Sequence, residues 1–420
     1  MTPTLDDLDG ADEPISVVPF PTLAPEALQG RAGELVNAVM PYTEAHPGPV
    51  LAQLLARYGA TVGDDAHMFA DNRKHPARVW PLVVGATSTG AKGTSSGVVN
   101  ALLGAVQDLR PLTRISGLSS GEGLIEVVRD GRGDNPDAKN FDEGVADKRL
   151  YVEDPEFTST LAVMERQGST LPRVLREAWD GDVLRTTTRS PLVATGAHIV
   201  VAAHVTPGEL KLKLSDAQLL GGTMNRFVPV ASRRTKLCPD GGNIPQNVIS
   251  DCAVKLAKAI EHGRQVKAVI RTEPARKLWH REYATLRKAM PDGPVAKILA
   301  RAVPQVLRLS LTYALIDGHD QIGEDHLHAA LALWQYATDT ATWMFGGVVD
   351  HGEIDQLVAF IAAGGNKGRT RTEIRADHFQ KNRSAADINT MLAPLLKDGH
   401  VRQEVDNTGR GRPVTRYYAC

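Results

Sequence analysis

The sequence has no stretch of 18 or more apolar residues, so nothing in it is long enough to span a bilayer as a helix. Cysteine is scarce: Cys238, Cys252 and Cys420 are widely spaced and form no CxxC pair. That excludes a disulfide scaffold and a Cys-based zinc site and fits a reducing compartment. The N-terminus, MTPTLDDLDGADEP, lacks the basic start and apolar run of a signal peptide. A cytoplasmic protein with no membrane partner is therefore expected. A strong charge of either sign is missing too. With a net charge of −1, the molecule as a whole does not attract nucleic acid, and any such contact needs local patterning. What is present is a globular composition, 42% apolar and 23% charged over 420 residues, enough for two to four domains at about 100–200 residues each.

Residues 1–20, acidic and Pro-containing, read as a disordered tail. From about Leu23 to Tyr58 the pattern is helical. Leu28, Ala32, Leu35, Val36 and Val39 recur at helical spacing, and a second run, Val50 to Tyr58, follows Pro49. These define an N-terminal helical region over 21–72. Val79-Trp-Pro-Leu-Val-Val-Gly85 has the profile of a buried parallel strand. A helix is expected over Ser95–Leu109, and strand-like runs recur at Arg149–Glu153 and His198–Val205. Strands alternating with helices predict an α/β core with a parallel sheet over 73–250. Residues 253–345 carry no convincing strand. They read as helices, including Val295–Ile316, where Pro304 implies a kink or a misplaced boundary, and His326–Trp343. An all-α lid is expected over 251–346, then a linker over 347–366.

Gly85-Ala-Thr-Ser-Thr-Gly90-Ala-Lys92-Gly93-Thr94-Ser95 stands between an expected strand and an expected helix. A phosphate cradle needs that setting. Glycines let backbone N–H groups curl around an anion, and a helix N-terminus adds partial positive charge. A lysine supplies a point charge to the terminal phosphates, and a hydroxyl ligates Mg²⁺. The spacing departs from GxxxxGK[ST]: Ala91 separates Gly90 from Lys92, and Gly93 separates Lys92 from Thr94. Either Thr94 or Ser95 is then the candidate metal hydroxyl. The plain alternative is a Gly/Ser/Thr-rich surface loop. Downstream, Arg149-Leu-Tyr-Val-Glu153-Asp154-Pro-Glu156-Phe157 is an apolar strand ending in three carboxylates. P-loop ATPases need one acid there to hold Mg²⁺ and another to polarise the attacking water. The C-terminal ends of parallel strands face the ligand crevice; the plain alternative is a solvated acidic turn.

Further segments follow in order: Gly117-Leu-Ser-Ser-Gly-Glu122, Ile199 to Pro207 with His204 near the strand end, Asn225-Arg226-Phe227, and Ala300-Arg301 to Leu309. With Tyr42-Thr-Glu-Ala-His46, Lys92-Gly-Thr-Ser95 and Leu307-Arg-Leu309, they make the chain from about Leu23 to Gly346 resemble a family of primase–helicase-like proteins of phages, plasmids and integrative elements. More distantly, the order of motifs resembles the minichromosome maintenance helicases, AAA+ hexamers with a helical lid and a C-terminal winged helix. The resemblance implies ATP and Mg²⁺ as cofactors, a homo-oligomeric ring, DNA as substrate and a separate primase as partner. It puts His204 where those enzymes carry a polar sensor, Arg226 at their arginine finger and Arg301 at their second sensor. Each has a plainer alternative: a satisfied strand-end histidine, a surface ion pair, a solvated lid face. Glu122, which follows a glycine, is expected at a helix N-terminus, which suits an acid; the alternative is a second water-orienting carboxylate, as in RecA-like ATPases.

The last stretch, 367–420, carries 11 Lys and Arg against 6 Asp and Glu, a local net of about +5. Helices over Thr372–His378 and Ser384–Asp398, with Ser384 and Asp387 as a helix start, precede two strand-like pieces joined by Asn407-Thr-Gly-Arg-Gly-Arg-Pro413. This order reads as a winged helix, with Asn389 and Lys397 on the recognition helix and Arg410, Arg412 and Arg416 on the wing as DNA contacts; protein docking is the alternative. The fold expected for the whole chain is an α/β P-loop NTPase of the AAA+ type with a parallel sheet, an N-terminal helical region, an all-α lid and a C-terminal winged helix. The expected function is an ATP-dependent DNA motor, a replicative helicase or helicase-like ATPase. The rival is a nucleotide-switched or catalytically decayed DNA-binding initiator.

Overall fold

The computed structural model describes residues 15–16, 18–107, 111–133, 141–288, 290, 293–345, 348–349, 351–379, 385–397, 400–406 and 414–419. Two units separate: Pro21–Ala341, and a second built from Met1–Phe20 with Thr342–Cys420.

In the first unit the chain opens with α1 (Gly30–Val39) and α2 (Pro47–Val62). α2 starts before the expected Val50, with Pro47 at its first position, where a missing N–H costs nothing, and with His46 Nδ1 accepting from Gly48 N–H at 3.1 Å. Every residue from Gly48 to Val62 is buried, as a helix apolar on all sides must be. Gly59 permits this: a Cβ there would collide with Ala77 O. The helical region thus belongs to the same unit as the sheet.

That sheet is five-stranded and wholly parallel. β1 (Pro81–Val84), β2 (Thr113–Ser116), β3 (Arg149–Asp154), β4 (His198–Val205) and β5 (Val228–Ala231) lie in the spatial order β5-β1-β4-β3-β2. A mixed α/β architecture around a parallel core sheet agrees with the expectation, and β1 and β4 read as apolar runs because they are buried throughout. β2 and β5 are the sheet edges. Neither the polar Thr-Arg-Ile-Ser nor a run interrupted by Pro229 announces a strand.

The chain leaves β1 through α3 (Lys92–Gly104), which starts three residues before the expected Ser95, and heads for the β2 edge; every later crossover runs the other way. Right-handed crossovers put α3 and the later helices on opposite faces. α4 (Gly121–Glu126), α5 (Phe157–Glu165) and α6 (Leu171–Asp180) pack together on one face, while α3 packs on α2 and on α9. α7 (Pro207–Lys213) and α8 (Asp216–Leu220) connect β4 to β5, and α9 (Gln246–Gln265), α10 (Glu273–Leu286), α11 (Pro294–Leu299), α12 (Ala302–Asp317) and α13 (Glu324–Phe345) follow.

Two expectations for this helical stretch need correction. Ile270–Arg271 pairs in parallel with Gln321–Ile322, a ribbon too short to show periodicity. The single helix Val295–Ile316 is broken at Ala300–Arg301. Pro304 therefore falls in the first turn of α12, where no intrahelical bond is lost, and it marks a boundary and not a kink.

In the second unit, Ile15–Ser16 pairs antiparallel with Val348–Val349, so part of the expected tail is a strand; residues 1–14 and 17 lie outside the described residues. α14 (His351–Ala362) stands where a linker was expected. Its Leu357 and Ile361, one turn apart, join Ile374, Ile388, Leu392 and Tyr417 in a small core. α15 (Arg371–Glu373) runs into a wider turn over Ile374–His378, α16 spans Ala385–Lys397, and Arg369–Thr370, Val414–Ala419 and Val401–Asp406 form an antiparallel sheet with Val414–Ala419 in the middle.

Candidate nucleotide site

Gly85 to Ala91 turn the chain from β1 into α3, whose first residue is Lys92. The turn is tight. A Cβ at Gly85 would come within 2.5 Å of Ser232 O, and one at Gly90 would collide with Ala86 O. Ser88 (φ +68°) and Ala91 (φ +47°) sit in the left-handed region that residues with a Cβ avoid. The first helical bond from Ser95 N–H reaches Ala91 O at 3.1 Å, so the amides of Lys92, Gly93 and Thr94 precede the ladder and have no intrahelical acceptor. Lys92 Nζ donates to Gly85 O at 2.5 Å and Ala86 O at 3.0 Å, spanning its own loop. Burial pulls its pKa down, and Glu209 opposes that shift. The loop lies where the crossover from β1 and those of its neighbours diverge, the switch point at which open α/β sheets hold ligands.

The loop is braced from outside by residues that sequence reasoning missed. Ser232 Oγ donates to Gly90 O at 2.5 Å and Arg234 N–H to Thr89 O at 2.9 Å. Arg234 is itself held by Glu44, Nε to Oε2 at 2.8 Å. Glu44 of Tyr42-Thr-Glu-Ala-His46 thus anchors the strap that carries the loop. Glu209 was missed as well, although Thr206-Pro-Gly-Glu209 is a readable capping box.

Of the two candidate metal hydroxyls, Thr94 is exposed and Ser95 fully buried. Ser95 Oγ donates to Lys92 O and accepts from Gln53 Nε2, both at 2.7 Å, so it is structural. Gln53 of α2 ties the back of α3 to the sheet. Its Nε2 also donates to Pro49 O, so its Oε1 faces Ser96 Oγ at 2.8 Å and His204 Nε2 at 3.1 Å. Because that amide oxygen only accepts, His204 carries its proton on Nε2. Burial lowers its pKa to about 4, so the ring is neutral at physiological pH.

The three acids at the end of the β3 motif do not converge. Successive strand residues point to opposite faces. Glu153 turns toward α3, accepting from Arg114 at 2.7 Å with Asn100 Nδ2 at 3.5 Å. Asp154 turns toward α5, accepting from Thr160 Oγ1 at 2.5 Å, and burial raises its pKa. Glu156 is exposed after the strand end. Glu122 lies in the first turn of α4, as expected, and accepts from Thr170 Oγ1 at 2.9 Å.

Arg226 and Arg301 do come together, away from Lys92. Arg226 directly precedes Phe227 and β5, whereas Lys92 follows β1. In a parallel sheet these are opposite ends of neighbouring strands, and the four residues of β5 alone separate them by about 13 Å at ~3.3 Å per residue. Both arginines reach Asp180, at 2.5 Å and 3.4 Å, beside the Trp179 ring, over which Arg308 lies at 3.5 Å. Arg226 is buried in this cluster; the Arg301 side chain is 34% exposed.

In the second unit Asn389 is exposed and accepts from Arg371 Nη1 at 3.1 Å. Arg416 donates to Lys367 O at 3.0 Å. Arg410, Arg412, Ser384 and Asp398 lie outside the described residues, as does the Lys397 side chain.

A cavity of about 360 Å³ opens elsewhere in the first unit, lined by Gln29, Asp317, His319, Asp325 and His326 among others. Asp317, His319 and His326 bring ligand atoms within 4.8 Å of one another. However, His326 Nδ1 accepts from Gly323 N–H at 2.9 Å, which leaves the proton on Nε2. That nitrogen donates toward Asp317 Oδ2 at 3.3 Å and His319 Nδ1 at 3.2 Å. A histidine so held caps a helix and does not ligate a metal.

No protein-family model and no curated protein matches the chain. No helix among the described residues is long and apolar enough to cross a membrane.

Proposed function

We propose that the chain is an ATP-binding P-loop protein of the AAA+ type that couples nucleotide hydrolysis to work on DNA, as a helicase or helicase-like ATPase of a mobile element. One observation carries this: a strained strand-to-helix loop at the sheet's switch point, with Lys92 opening the helix and the amides of Lys92, Gly93 and Thr94 ahead of the helical ladder. Loop geometry of this kind suits phosphate because it offers fixed N–H dipoles and one cation to a polyanion. ATP would supply the bond to be cleaved, and Mg²⁺ would supply positive charge to offset that of the phosphates. Thr94 is the hydroxyl on hand for that ion. Glu153 is the nearer carboxylate by face, sharing the α3 side of the sheet with His204.

Arg226 and Arg301 lie at the opposite end of the strands from Lys92, and with Arg226 buried against Asp180 it is Arg301 that is open to a neighbouring subunit. Neither can serve the nucleotide of its own chain, so any finger role is played toward a neighbouring subunit. The proposal therefore includes a homo-oligomer, expected to be hexameric, with DNA as substrate, a primase as separate partner and the C-terminal unit as a winged helix on DNA. The test is steady-state ATP hydrolysis by the wild type and by Lys92→Ala, with and without single-stranded and duplex DNA. Turnover that rises with DNA and vanishes in the variant is the expected result. Equal turnover in both proteins would remove the loop from catalysis.

A second reading, a nucleotide-switched initiator that binds but scarcely hydrolyses, is favoured by one observation. Glu153 is engaged by Arg114, and Asp154 faces away from α3. Tight ATP binding without turnover under any DNA condition would select it.

A further inference from the structure

A basic stripe runs the length of α10. Arg276, Lys277, His280 and Arg281 are exposed at three- and four-residue intervals and share one side of the helix, and Arg287 and Lys288, exposed just past its end at Leu286, extend the row. Over residues 271–288 six Lys and Arg stand against two acids, a local net of +4 in a chain whose total is −1. The opposite side, Ala275, Leu278 and Trp279, is buried, which fixes the cations outward.

Ordinary helix electrostatics accounts for only part of this. Arg287 and Lys288 sit at the C-terminus, where the macrodipole favours cations; Arg276 and Lys277 lie near the N-terminus, where it does not. The acids do not neutralise the stripe. Glu273 pairs with Arg276 at 2.9 Å and Glu282 with Arg281 at 3.3 Å, both at the surface. Pairs of that kind hold by about 0–1 kcal/mol and yield to a stronger anion.

An exposed aromatic ring lies near the start of the stripe. Ile270–Arg271 leads directly into α10, and the hairpin His67–Ala70/Arg73–Pro76 docks beside it, with Val269 N–H donating to His67 O at 2.8 Å. The parallel bridge His67↔Ala268 sets Phe69 next to Ile270; these two are 62% and 66% exposed. An exposed ring beside a row of cations suits a single strand, one of whose bases can stack while its backbone is neutralised. From Arg276 to Arg287 the helix rises about 16 Å at 1.5 Å per residue, long enough to follow a few nucleotides of a single strand.

We propose that the α10 stripe with Phe69 is a nucleic-acid surface distinct from the C-terminal unit, taking the phosphates of a single strand along Lys277, Arg281 and Lys288 and a base on Phe69. Neither the phosphate loop nor the wing takes part, so the test is made without nucleotide. The full chain is titrated into fluorescein-labelled oligothymidylate, oligouridylate and a hairpin duplex across a salt series, with anisotropy as readout. Lys277→Gln/Arg281→Gln/Lys288→Gln is expected to weaken single-strand binding at least about tenfold and to flatten the log–log salt slope by about 2, at ~0.7 per contact. Phe69→Ala is expected to weaken it about five- to a hundred-fold with the slope unchanged. Arg410→Ala/Arg412→Ala is the comparator, expected to act on duplex. Loss for both oligonucleotides, or for one of them, supports the surface and says whether DNA or RNA is preferred. An unchanged slope and affinity in the triple variant, or a loss seen only with anionic lipid vesicles, overturns it. Matched melting temperatures verify folding, and single substitution of Lys277 serves should the triple variant be unstable.

Discussion

Lys92 spends its charge on two carbonyls of its own loop, contacts that an incoming phosphate can replace with a charge-assisted one. Lys92→Ala is expected to weaken binding of a fluorescent ATP analogue about ten- to a hundred-fold, the equivalent of ~1.5–3 kcal/mol for a hydrogen bond to a charged group; unaltered affinity would exclude the lysine from the site. Gly90 has no room for a methyl group beside Ala86, so Gly90→Ala should lower the urea midpoint by an amount equivalent to about 1–3 kcal/mol. His204 and His46 both have pKa values pulled down to about 4 by burial, against about 6.5 in the unfolded chain. The unfolded state therefore binds protons first, and stability falls as pH drops from 6.5 toward 4, at most about 1.4 kcal/mol per pH unit for each ring. His204→Asn should remove one proton's worth of that slope in urea titrations at stepped pH; an unchanged slope would show that the ring is not held neutral.

At the scale of elements, the contact between α2 and α3 and the cluster at the end of α6 carry buried polar groups that hold one another. Gln53→Leu would take one partner each from Ser95, Ser96 and His204, although Ser95 keeps Lys92 O and Ser96 and His204 keep each other at 3.1 Å, and it is expected to cost about 1–3 kcal/mol. Asp180 is shared by Arg226 and Arg301. Asp180→Ala leaves Arg226 buried and unpaired and is expected to cost about 3–5 kcal/mol in thermal or urea unfolding. Arg301→Ala should cost far less, because a third of that side chain already meets water. If the arginine cluster serves a neighbour's nucleotide, Arg301→Ala will lower turnover while leaving ATP affinity nearly intact; a matching loss of affinity would place it elsewhere.

For the whole molecule, the proposed ring would make activity a property of assembly, because Lys92 and the arginine pair lie at opposite ends of the strands. Turnover per subunit is expected to rise with protein concentration and with DNA, tracking oligomer formed in sedimentation. Full turnover by a persistent monomer would defeat the ring. The two basic regions should separate by ligand, the wing arginines shaping the salt dependence on duplex and α10 that on single strands.

The α/β class, the glycine-containing strand-to-helix turn after β1 and the bounds of β4 were legible in the sequence because they are local: a buried strand must be an apolar run, and a tight turn with no room for a Cβ calls for glycine. The edge strands β2 and β5 were not, since four residues carry too little pattern, and α14 was lost among linker-like residues for want of a visible cap. Only the tertiary structure decided the chemistry around the loop. It set Glu153 and Asp154 on opposite faces through the alternation of a strand. It gathered Arg226, Arg301 and Asp180 from segments far apart in sequence at the end of the strands away from Lys92, and it brought Arg234 and Glu44 together to brace the loop. Those are long-range juxtapositions created by packing, and no window of neighbouring residues records them.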